Sequence, residues 1–91
     1  MHMQTIAERL KWARGHAGLP QQEVARRAKL STNHVGFIEQ EKFLSVSVKT
    51  ATAIASVLGV SPQWLLLGVE PEPDPKDIAA AAARPDSQGA A

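Results

Sequence analysis

Residues that open helices and residues that close them alternate so closely along this chain that every regular element must be short. Thr5 heads the first segment, and Ile6, Leu10, Ala13 and Ala17 follow at spacings of four, three and four. That spacing gathers them on one face of a helix. Gly18 then supplies a left-handed stop. Pro20 opens a second segment, Gln21 to Ala28, because a proline in the first turn gives up an N–H that has no intrahelical partner. Val24, Ala25 and Ala28 form its apolar face. Ser31 is placed to cap a third helix, Thr32 to about Gln40, that buries Val35 and Ile38. After a loop from Glu41, Ser47 can cap Val48 to Leu58, with Ala51, Ile54, Ala55 and Leu58 inward and Gly59 as the stop. Ser61-Pro62 starts a fifth helix that runs to Leu67 and closes at Gly68. The chain is therefore all-α.

Composition narrows the rest. The 91 residues suit one small domain, and the only aromatics are Trp12, Phe37, Phe43 and Trp64. An aliphatic core of this kind suits helix-on-helix packing. The absence of Cys excludes disulfides, thiolate metal sites and a Cys nucleophile. His2, His16 and His34 stand on separate segments without a ligand spacing, so no metal or cofactor is expected. With no Ser-His-acid set, phosphate-cradling glycine loop or carboxylate pair, an enzyme is not expected either. The apolar runs are too short to span a bilayer, and Met1 to Gln4 carry no export signal, which together read as a cytoplasmic, nucleoid-associated protein.

Residues 1–69 read as the folded domain and 70–91 as a Pro/Ala-rich acidic tail. The tail opens with acid alternating with proline from Glu70 to Pro75, a pattern that favours an extended path. Asp74-Pro75 can start a short helix at 75–84, with Ile78 as its one large apolar side chain. Alone such a helix is marginal. The first 69 residues carry eight Lys/Arg against four Glu, and the tail two against five acids. A basic domain with an acidic end fits a polyanionic partner.

The informative stretch is Gln21 to Glu39. Two short helices are joined by Lys29-Leu30-Ser31, with small Ala25 on the first and Val35 and Ile38 on the second. A helix-turn-helix needs a small residue where its helices cross and a second helix that keeps its outer side free. The sequence here resembles the Cro and phage-repressor (XRE-like) helix-turn-helix regulators over about Ile6 to Gly68. The residues that carry the resemblance are Arg9-Leu10, Arg14, Gly18-Leu19, Gln21, Glu23-Val24-Ala25, Leu30-Ser31, Val35, Ile38-Glu39, Thr50, Ile54-Ala55, Leu58-Gly59-Val60-Ser61 and Trp64-Leu65-Leu66-Leu67-Gly68.

The resemblance implies a five-helix, lambda-repressor-like domain that binds double-stranded DNA at a palindromic operator as a homodimer and regulates transcription, most simply as a repressor. It implies that Gln21 holds a phosphate, with Gln22 beside it, and that Thr32, Asn33, His34 and Phe37 face the groove. Lys42 lies next to this surface. Arg14 pairs with Glu39 to pin the reading helix and points toward the DNA backbone. The apolar fifth helix, through Trp64, Leu66 and Leu67, is the implied dimer contact.

Three features depart from the pattern. Glu41 stands where the family often has Gly, Val46 where it often has Pro, and the recognition helix has no Lys or Arg. The last departure leaves phosphate binding to Gln21, Arg14, Arg26, Arg27, Lys42 and Lys49, and it supports a second reading. In that reading the chain is an antitoxin-like or co-regulatory module that binds another protein through Trp12 or the tail.

Overall fold

The computed structural model describes Met3, residues 5–41 and residues 46–84. Within them lie six helices: α1 (Ile6–Ala17), α2 (Gln21–Arg27), α3 (His34–Glu39), α4 (Val48–Leu58), α5 (Pro62–Leu67) and α6 (Pro75–Ala83). No strand occurs among the described residues.

Local chemistry sets most of the boundaries. Thr5 and Glu8 form a reciprocal capping box at the start of α1, each satisfying the other's backbone N–H at 3.1 Å. Ser47 accepts from the Thr50 N–H, Ser61 from the Trp64 N–H, and Asp74 from the Lys76 N–H. Gly18, Gly59 and Gly68 end α1, α4 and α5 in the left-handed conformation.

At α3 the cap differs from the sequence expectation. The helix begins at His34, not Thr32, and Asn33 occupies the N-cap position in a right-handed conformation with no side-chain cap bond. The Ser31 carbonyl, rather than its hydroxyl, meets the His34 N–H at 3.0 Å. The turn out of α2 leads straight into a second tight turn, so the backbone supplies the partner that a capping side chain would have given.

Leu10, Val24, Val35, Ile38, Ile54, Leu58 and Leu65 form one core, each at most 2% exposed. The sixth helix belongs to the same core. It packs across α1 and α4, and Ile78 is fully buried as a member of the same apolar cluster. Covering an isoleucine this well is worth about 1.5–3 kcal/mol, which is what a nine-residue helix needs to persist. Two further contacts fix its position. The Arg27 guanidinium of α2 donates to the Ala82 carbonyl at 3.2 Å. Gly59, held at φ 70°, lies so close to α6 that a Cβ there would sit 2.4 Å from the Ala81 Cβ.

Trp64 is also drawn inward. It is 3% exposed, and its ring meets Trp12 edge-on at 5.7 Å. Trp64, expected at a dimer contact, is thus covered by its own chain. Trp12 is half-buried between Trp64 and His16.

Candidate nucleic-acid interface

The turn between α2 and α3 is built without glycine. Lys29 takes a left-handed conformation at φ 61°, which lets the Leu30 N–H return to the Ala25 carbonyl at 2.8 Å. Leu30 is thereby tucked against the core. Ala25 is fully buried, and the two helices pack closely there.

What holds α3 at its angle is a single carboxylate. Glu39 is 3% exposed and accepts from Arg14 Nε at 2.6 Å, Arg14 Nη2 at 3.0 Å and Gln21 Nε2 at 3.0 Å. Arg14 also donates through Nη1 to the Leu19 carbonyl at 3.1 Å. The bidentate ion pair thus ties α1 to α3, and the Gln21 amide joins α2 to the same carboxylate. Gly36 makes the arrangement fit. It is buried, and a Cβ there would come within 3.0 Å of Gln21 Oε1, so its absence lets the glutamine side chain cross α3.

The outward side of the motif carries Gln22, Thr32, Asn33 and Gln40, all exposed, and Phe37, 40% exposed. His34 is half-buried at the head of α3. Lys42, expected near this surface, lies outside the described residues. Gln21, expected to reach a phosphate, spends one amide hydrogen on Glu39 and retains a second at the first residue of α2.

The cations are more committed than sequence alone suggests. Glu23 accepts from Arg26 at 2.6 and 3.1 Å and from Arg27 at 2.7 Å. These two guanidiniums hold its carboxyl down at about 2. Lys29 and Lys49 remain exposed.

Two further residues hold the motif from behind. Arg9 is 5% exposed and donates to the carbonyls of Leu65 at 2.8 Å, Met3 at 2.9 Å and Leu66 at 3.1 Å. It thereby satisfies the C-terminal end of α5, and burial pulls its pKa below the usual arginine value. Gly36 is the other, and its one visible signal was a glycine inside a six-residue helix. Among the described residues no cluster of His, Asp and Glu can hold a metal ion, and no helix is long and apolar enough to cross a membrane.

Two short helices pinned through the buried Glu39 carboxylate, with polar residues at the exposed head of the second, define a helix-turn-helix DNA-binding domain. A helix-turn-helix family profile matches residues 10–65, more than half of the chain. The chain belongs to the Cro and phage-repressor (XRE-like) helix-turn-helix family, and it is a DNA-binding regulator. Searches of curated proteins and of solved structures return no match.

Proposed function

We propose that this protein is a sequence-specific transcriptional repressor that binds a palindromic operator as a homodimer, with α3 in the major groove. The observation that carries the reading is the Glu39 carboxylate. It fixes α3 against α1 and α2 and leaves Thr32, Asn33 and Phe37 on the outer side. A reading helix must be held rigidly, because a base contact discriminates only when its donor and acceptor positions are preset. Gln21 and Gln22 serve the phosphate beside α2, where the free N–H groups of the helix end favour an anion. Repression follows from occupancy, since a bound dimer excludes polymerase from the same duplex. Its place of work is the cytoplasm, on chromosomal DNA.

The homodimer is supported by apolar surface next to α5. Leu67 is 68% and Val69 51% exposed, beside the half-buried Leu66. Pairing two copies there sets two reading helices on half-sites about 34 Å apart. Selection of bound duplexes from a random library with the purified full chain tests the proposal. A palindromic consensus is expected, and selection of no sequence above background overturns it.

The second reading, a protein-interaction module of antitoxin or co-regulator type, is favoured by one observation. The segment from Ser31 to Gln40 has no Lys or Arg. Under that reading a gel shift on the gene's own upstream region fails at physiological salt, whereas under the first it succeeds.

A further inference from the structure

The exposed side of α3 carries a specific chemical pattern. The Phe37 N–H meets the Asn33 carbonyl at 3.0 Å, so the two residues lie one turn apart on the same side of the helix. Asn33 is exposed and Phe37 is 40% exposed, with Thr32 and Gln40, both exposed, flanking them. This surface therefore presents a hydroxyl, an amide, an aromatic ring and a second amide.

These groups suit one kind of base pair. A side-chain amide matches the N7 acceptor and N6 donor of adenine, and an apolar group matches the 5-methyl of thymine. The commonest bidentate contact to guanine uses Arg or Lys, and neither occurs from Ser31 to Gln40. The nearby Arg14 is bound to Glu39 and to the Leu19 carbonyl, and Arg26 is paired with Glu23.

We infer that α3 reads A·T pairs, with Asn33 on an adenine and the Phe37 ring against the 5-methyl of a neighbouring thymine. This inference rests on the DNA-reading function proposed above. Four residues of helix advance about 6 Å, and bases on one strand are spaced about 3.4 Å apart. The thymine therefore lies within two base steps of the adenine, and the half-site is built on A·T pairs at these positions. Specificity then comes from amide geometry and a methyl contact, and not from charge.

The test uses the full chain and the duplex selected above. Each thymine of the half-site is replaced in turn by deoxyuridine, which removes only the methyl group. Burying one such group is worth about fourfold in affinity. The wild-type protein is expected to lose about fourfold at one thymine per half-site, and about fifteenfold when both half-sites are changed. F37A is expected to bind the thymine and uracil duplexes equally, and F37L to keep part of the difference. Circular dichroism checks that both variants are folded, as expected for a ring this exposed.

Indifference of the wild-type protein to every substitution overturns the inference. An undiminished thymine preference in F37A overturns it too. A palindromic consensus read mainly at G·C pairs overturns it while leaving the proposed function standing. Failure to select any sequence removes both.

Discussion

Replacing Gly59 by Ala tests the seat of α6 at its tightest point. The substitution acts in two ways. The residue sits at φ 70°, where a Cβ costs about 1–2 kcal/mol in any context. The new methyl would also lie 2.4 Å from the Ala81 Cβ, so α6 must shift or leave. That second cost is bounded by the free energy of docking α6, which is dominated by burial of Ile78 and amounts to about 1.5–3 kcal/mol. The sum is about 2.5–5 kcal/mol, which lowers the melting temperature of a domain this size by at least about 10 °C. A double-mutant cycle separates the two parts. A81G alone costs about 1 kcal/mol of helix propensity, but it removes the atom that G59A strikes. The double variant should therefore recover about 1–3 kcal/mol relative to the sum of the single changes. Urea unfolding followed by far-ultraviolet circular dichroism and by tryptophan fluorescence measures all three. Additivity within about 0.5 kcal/mol would show that α6 does not rest on Gly59 in solution, and the account of a six-helix core would fall with it.

Four further outcomes follow from the contacts. E39Q leaves Arg14 without its ionic partner in a site where Glu39 is 3% exposed and Arg14 partly exposed. A loss of about 2–4 kcal/mol is expected in chemical denaturation, and a change below about 0.5 kcal/mol would contradict the role given to this pair. Glu23 is held at about 2 in the folded chain against an ordinary value of 4.5. Its contribution is therefore complete above pH 4.5 and is lost as pH falls from there toward 2. An NMR titration of the Glu23 carboxyl carbon should show that low midpoint, and E23Q should flatten the acid limb of stability over the same range. Glu41 adopts φ 58°, the conformation that a glycine takes freely, so E41G should stabilise the protein by about 0.5–1 kcal/mol in thermal unfolding even after the unfolded-state entropy of glycine is counted. Because Arg26 and Arg27 are paired with Glu23 and α3 carries no cation, few phosphates are neutralised. The slope of log K against log salt should be no steeper than about −8 per dimer, as measured by fluorescence anisotropy.

Helix starts and stops were legible in the sequence because their causes are local. A hydroxyl or carboxylate at Thr5, Ser47, Ser61 or Asp74 bonds an N–H two or three residues away, and the left-handed stops at Gly18, Gly59 and Gly68 need nothing beyond their own backbone. The same holds for the helix-turn-helix spacing around Ala25. At Ser31 the hydroxyl is not used, because the backbone turn before α3 competes with it for the same N–H. The turn at Glu41 shows the opposite balance. The left-handed conformation survives without glycine, with the packed helices on either side absorbing its cost.

Tertiary structure decided everything that depends on which surface meets which. Trp64 stands in an apolar helix that reads equally well as core or interface, and its contact with Trp12 assigns it to the core. Gln21 reads as a phosphate ligand by position, yet a bare Gly36 opens the route that brings it to Glu39. The clearest case is the segment after Pro73. Its capped start at Asp74 was visible, but one isoleucine and a run of alanines say nothing about where such a helix lies. Three distant features supply that information: the apolar ground between α1 and α4 that covers Ile78, the missing side chain at Gly59, and the Arg27 guanidinium that meets the Ala82 carbonyl. Helix ends are written in neighbouring residues, whereas a docking site is written in residues far apart in the chain, which become neighbours only when the core closes.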